Sequence, residues 1–258
     1  MAGESKSPMP VVTPDWTRLA ADAVRGQQPP SDRDLEIAPC WTVGDWKNLK
    51  LDPKKPNSED WKTALKIFEA RIRGRFLDPA DVLIAHEISQ NRRTFGFAIL
   101  AIDFLVIETL QGFREGRKDH RGKGVSEGLV VEFLNCWEAF TDCLSDQNKD
   151  KAKDYAKKVY GGYRCGLHHT GSTDGELRIL AIGPTFEIKS ETDITINRTR
   201  FHEELKHEFN RDIDTLRSSG EMGKERRDNL IKKMNTICDS ETGKRRQPSR
   251  PKKFSNDR

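Results

Sequence analysis

No two of the five cysteines stand closer than seven residues, so the sequence contains no CxxC pair. Cys40, Cys136, Cys143, Cys165 and Cys238 are odd in number and widely spread. That argues against a disulfide framework or a cysteine zinc site and for reduced thiols. A glycine-rich phosphate loop, a GxSxG elbow and an HExxH pair are also missing, so P-loop, serine-hydrolase and zincin chemistry have no support. Long apolar runs are scarce. The most apolar stretch, FAILAIDFLVIETLQGF (97–113), holds Asp103 and Glu108 and is too short and too charged to cross a bilayer. MAGESKSPMP at the start has no apolar core, so no secretory leader is expected. A cytoplasmic protein with no membrane contact is the expectation.

Charge is present but unevenly placed. The net charge is +4, yet residues 243–258, GKRRQPSRPKKFSNDR, hold seven Lys or Arg against one Asp. The rest of the chain is therefore close to neutral. A basic, proline-containing tail is expected to be disordered and can attract phosphates without sequence preference. A purely solubilising tail is the other reading. Proline is also uneven, with eight of twelve residues in the first 56, beside Trp16, Trp41 and Trp46. Residues 1–57 read as an irregular arm with at most short helices, its aromatic residues docking on the main domain; a flexible leader is the alternative.

From residue 58 the hydrophobic period becomes helical. Asn57 or Ser58 can cap a helix whose stripe is Trp61, Leu65, Phe68, Ile72 and Phe76, with Asp78-Pro79 expected to end it and let another start. Residues 91–115 are apolar nearly all round, as in the centre of a bundle or an interface. Further helices are expected over 125–144 and 149–166. Between about 177 and 197 the pattern turns β-branched, which predicts two or three short antiparallel strands. Helices over 198–217 and 221–237 follow. The fold class is mainly α: a helical domain over 58–238 with a small antiparallel β insertion, then a basic tail over 239–258. Cys136 and Cys143, seven apart, are expected near a buried helix face, and His202 and His207, five apart among acids, on a solvated one.

Two of the six histidines stand side by side in YRCGLHHTGSTDG (163–175), where a helix should be ending. Arg164 and His168, four apart, would share a helix face, whereas His169 reaches back to Arg164 only if the helix unwinds. Gly166 and Gly171 allow that unwinding. Histidine moves protons near neutral pH, and an arginine fork holds phosphate. With no metal and no cofactor, such a pair suits RNA cleavage, in which the 2′-hydroxyl is the nucleophile. The plainer alternative is a helix C-terminus carrying a cation and polar cap residues.

YGGYRCGLHHTGSTDG, preceded by FAILAIDFLVIETLQGFREG and IFEARIRGRF, resembles the HEPN superfamily, helical domains that include many ribonucleases of phage defence and toxin–antitoxin systems. The resemblance covers about residues 58–218 and rests mainly on YRCGLHH, an R-x4–6-H motif at its minimum spacing. It implies Arg164 and His169 as the catalytic pair, with His168 a weaker candidate and Glu108 or Asp103 as the supporting acid. A homodimer with a composite cleft is implied, with RNA as substrate and an antitoxin or regulatory protein as a further partner. The implied activity is a metal-independent endoribonuclease leaving 2′,3′-cyclic phosphate ends. A non-catalytic module binding RNA, nucleotide or protein is the alternative.

Deleting residues 243–258 is expected to weaken RNA binding and flatten its salt dependence, because fewer counterions are released. A salt titration of binding before and after deletion checks this. An unchanged slope would make the tail a bystander.

Overall fold

Arg71 and Arg75, one turn apart on the first long helix, donate to the backbone carbonyls of Ile37 and Glu36. They clamp a small hairpin onto that helix. The computed structural model describes residues 35–119, 122–167, 172–173, 177–190 and 192–241. The chain divides into Met1–Ser31 and Asp32–Arg258, and every described residue belongs to the second unit. Trp16 and most of the basic tail therefore lie outside the described residues.

The hairpin pairs β1 (Glu36–Ala38) with β2 (Trp41–Thr42), and α1 (Val43–Lys47) comes directly behind a Thr42–Asp45 capping box. Ile37, Ala38, Val43 and Trp46 are buried in the main core, and the Trp46 indole donates to Asn235 at 2.9 Å. Residues 36–47, expected to be irregular, are an ordered part of the domain. Pro39, in the turn, lies so close to Gly74 that a β-carbon there would stand 2.7 Å from the proline ring.

Ser58 caps α2 (Glu59–Ile72) by accepting from Trp61 N, with two acids in the first turn. The chain then passes through one wide turn, Arg73–Leu77, into α3 (Asp78–Gln90). A helix starts at Asp78-Pro79 with the proline in its first turn, as the sequence suggests, but the chain enters it without leaving helical geometry. A wide i→i+5 turn ahead of Pro79 absorbs the missing N–H and the ring clash, so the helix continues. The central helix is α4 (Gly96–Arg114). α5 (Val125–Cys136) and α6 (Glu138–Thr141) replace the single helix expected over 125–144. The break falls at Trp137, whose backbone is extended and whose side chain is fully buried against Phe133, Phe186 and Phe201. That break also explains the cysteines: the seven-residue register is lost, and Cys136 is exposed while Cys143 is half-buried.

A short 3-10 turn leads into α7 (Ala152–Val159), and a second wide turn, Tyr160–Cys165, ends it. The β insertion is β3 (Arg178–Leu180), β4 (Phe186–Ile188) and β5 (Ile194–Asn197), in the order β3-β5-β4. β4 and β5 are antiparallel, as expected; β3 instead joins the other edge of β5 in parallel. Asn197 ends β5 and caps α8 (Arg198–Arg217) by accepting from Thr199 N and Arg200 N. The stripe Phe201, Leu205, Phe209, Ile213 and Leu216 is buried throughout. α9 (Glu221–Glu241) closes the bundle. From it, buried Arg227 donates to the carbonyls of Leu216 and Ser218 at the end of α8, and to that of Pro53. Carbonyls that a helix end leaves unpaired are satisfied this way.

Trp137→Ala should destabilise the fold by about 3–5 kcal/mol, the range for emptying a large aromatic site. Trp137→Phe should cost clearly less, because the buried indole N–H has no hydrogen-bond partner among the described residues. Urea denaturation of both variants measures the difference.

Candidate active site at the second wide turn

Arg164 stands in the wide turn that ends α7. The turn is held by Tyr163, which stacks on Phe104 and whose hydroxyl reaches the carbonyls of Ile194 at 2.6 Å and Arg178 at 2.9 Å. One buried phenol thus fixes the turn against the central helix and both parallel strands. Its neighbour Arg164 points the other way, toward Glu108 on α4, and donates from Nη2 to Oε2 at 3.0 Å. Ser126, in the first turn of α5, donates to the same oxygen at 2.6 Å.

The Tyr160 phenol completes the group. It lies against the Ser126 hydroxyl and the Cys165 thiol. Burial pushes its pKa up; Ser126 opposes this and Cys165 adds to it. Lys233 on α9 is close enough to feel the Glu108 charge, and burial holds its ammonium below the usual lysine range. Arg164 and Glu108 are mostly but not wholly covered, 17% and 12% exposed in their side chains. Arg164 Nε is buried with no hydrogen-bond partner among the described residues.

His168 and His169 lie outside the described residues. On their two sides the chain comes back on itself: Ser172 N donates to Gly166 O at 3.4 Å. A β-carbon on Gly166 would stand 2.5 Å from Ser172 O, so this approach requires glycine.

The two acids expected near the motif separate. Glu108 meets Arg164. Asp103 does not: it is fully buried and shares a 2.7 Å contact with His202 Nδ1 on α8. At about 100° per residue the two acids point roughly 140° apart around α4. His202 is therefore buried and not solvated, while His207 is exposed. The helix stripe is wider than its five large apolar residues, and His202, three before Leu205, falls inside it. Among the described residues no three His, Cys, Asp or Glu side chains gather as a metal site would need.

Sequence reasoning does not single out Ser126 or Tyr160. Ser126 comes from a distant helix and leaves no signal. Tyr160 does leave one, four residues before Arg164 on a helical stretch. No family model, curated protein or solved structure matches the chain.

The Asp103–His202 pair makes stability depend on pH. Burial alone lowers a histidine pKa, but the hydrogen bond and charge of Asp103, with Asp81 beyond, hold His202 above 6.5. Lys206, bonded to Asp81 at 2.8 Å, opposes this. Burial likewise raises Asp103, against the pull of His202. A raised histidine contributes stability that is present below its unfolded pKa and lost as pH rises through its folded one. A raised carboxyl has the same sign, since the fold favours its protonated form. The loss from Asp103 begins above its ordinary 3.8 and that from His202 above 6.5, so stability should fall as pH rises through this range. The Asp103→Asn/His202→Gln double variant should flatten that slope, and Asp103→Ala alone should cost about 3–5 kcal/mol. Denaturation across pH gives all three.

Proposed function

We propose that this protein is a HEPN-like, metal-independent endoribonuclease of the toxin or defence type. The observation that carries the reading is Arg164, held by Glu108 and Ser126 in a half-open polar cluster, with the His168-His169 pair next in the chain. Arg164 binds the scissile phosphate and neutralises charge as it builds in the transition state. His169 serves as general acid or base, taking the 2′-hydroxyl proton or supplying one to the leaving 5′-oxygen. The products are a 2′,3′-cyclic phosphate and a 5′-hydroxyl. Glu108 positions Arg164, and Ser126, against which Tyr160 packs, holds Glu108 in turn. Two copies assemble around one cleft as a homodimer, in the cytoplasm, with an antitoxin or regulatory protein as a further partner.

Of the described helices, α4 alone is long and apolar enough to cross a bilayer. More than half of its apolar window is buried inside the bundle, and it carries Asp103 and Arg114 in internal ion pairs. It is the core helix of this fold.

One observation favours a second reading. The Arg164–Glu108 ion pair neutralises the arginine, as a purely structural lock would. A module that binds RNA or protein without cutting would look the same at this point.

Cleavage of total RNA in EDTA separates the two. His169→Ala should lose about a hundred- to ten-thousand-fold in rate, with stability changed by no more than about 1 kcal/mol. Arg164→Ala should be as severe. His168→Ala should keep most of the activity. Glu108→Gln should lose up to about a hundredfold, through a misplaced guanidinium. Undiminished cutting by both Arg164→Ala and His169→Ala would end the ribonuclease reading, and binding without cutting by the wild type would establish the second.

A further inference from the structure

A second polar cleft opens at the C-terminal end of α3, away from Arg164. It encloses about 310 Å³, and its walls include Ile84, Ile88, Arg92, Arg93, Ala181 and Arg198. Asn91 ends α3 in the left-handed conformation and turns Arg92 and Arg93 out to solvent. The floor is the buried ion pair between Glu87 and Arg198, in which Arg198 also donates to Thr199 Oγ1 at 2.8 Å. Glu87 is the sole acid between Ile84 and Ala98, and it is occupied twice, by Arg198 and by Phe95 N. The cleft is therefore cationic, with no carboxylate free to answer Arg92 and Arg93 within that stretch.

Its rim is apolar. Six large apolar side chains are strongly exposed among the described residues; Ile88, 75% exposed, lines this cleft, and Leu180 and Ile182, the latter 62% exposed, flank Ala181 of its lining. Phe97 comes after Gly96, whose backbone packs against Arg198 and Ile179. Exposed apolar residues gathered in one place around arginines are the composition of a protein interface.

We propose that this cleft docks an acidic, aliphatic segment of a partner protein. A carboxylate of the partner enters between Arg92 and Arg93, above Arg198, and aliphatic side chains cover Ile88, Leu180 and Ile182. Charge complementarity selects the acid, and the arginine fork holds a carboxylate through two parallel bonds. The rim favours protein over RNA: Ile88, Leu180 and Ile182 are aliphatic and Phe97 is the one exposed aromatic nearby, whereas single-stranded RNA binding relies on several stacking faces. The site does not depend on the chemistry of Arg164. Gly96 and Glu108 are twelve residues apart on α4, about 18 Å along the helix axis.

The test is selection of random twelve-residue peptides on the immobilised full-length chain. Peptides combining Asp or Glu with Ile, Leu or Val should be enriched. Their affinity should fall about tenfold or more in Arg92→Glu/Arg93→Glu, in line with losing charge pairs at an interface. Ile88→Asp should weaken them comparably, while both exposed-site variants keep the wild-type circular dichroism. Lack of enrichment, enrichment of basic peptides, or equal binding to the variants would overturn the proposal. Two further results would do the same. One is a single-stranded RNA oligomer, and not the peptides, losing affinity in the double arginine variant. The other is Ile88→Asp converting a dimer to a monomer by light scattering, which would make the surface a self-contact.

Discussion

An ionisable side chain buried in a helical bundle must meet an opposite charge or lose its own, and the central helix carries three of them. Asp103, Glu108 and Arg114 all lie in α4, otherwise the most apolar segment of the protein. Each recruits a different set of partners. Asp103 takes His202 from α8, Glu108 takes Arg164 and Ser126, and Arg114 takes Glu208 and Asp212, again from α8. Asp103 and Arg114 are eleven residues apart, about 20° around the helix axis, so both meet α8. Glu108 faces away and meets the wide turn and α5. Helix orientation around α4 is thereby set by charge as well as by shape, because any rotation would strand a buried ion.

The two wide turns have the same physical role at different places. Each lets a helix pass a point where regular winding fails. At Arg73–Leu77 the obstacle is Pro79 ahead; the turn keeps α2 and α3 continuous in sequence while re-aiming the second. At Tyr160–Cys165 the extra residue per turn separates two functions that a regular helix would crowd. Tyr163 is driven into the core, and Tyr160 and Arg164 stay at the half-open edge. Such turns gather at functional positions in proteins generally, and here the one that carries Arg164 also carries its neighbouring phenol.

Much of the helical layout is legible in the sequence because it depends on local period. Trp61, Leu65, Phe68 and Ile72, and Phe201 to Leu216, mark their buried faces directly, and Ser58 marks a cap. The features that stay hidden depend on contacts distant in sequence. The hairpin at residues 36–42 is too short to show alternation and exists because Arg71 and Arg75 hold it. Trp137 breaks its helix because its ring is needed among Phe133, Phe186 and Phe201, which come from three separate elements. The parallel pairing of β3 reflects β5 taking the middle of the sheet, and no local pattern announces strand order. At the candidate site, Arg164 can be nominated from the chain alone, whereas Glu108 enters only through the family resemblance and beside Asp103, from which the sequence does not separate it. Ser126 cannot, since nothing in VSEGLVVEF distinguishes an ordinary first-turn serine from one that hydrogen-bonds a buried carboxylate.

The Arg164–Glu108 pair sets what the site can do at rest. A bidentate pair would occupy one fork of the guanidinium and leave little for a ligand. Here the contact runs through one nitrogen to one oxygen, and that oxygen is shared with Ser126. The serine draws on the same lone pairs, so the carboxylate holds the arginine in place without engaging its full donor set. Nε remains without a partner among the described residues, a cost of about 1–3 kcal/mol for a buried donor if it stays unmet. The donors that Glu108 leaves unengaged are those that a bound anion would use under the proposed function. Glu108 therefore orients the guanidinium without saturating it, which is what the role proposed for Arg164 requires.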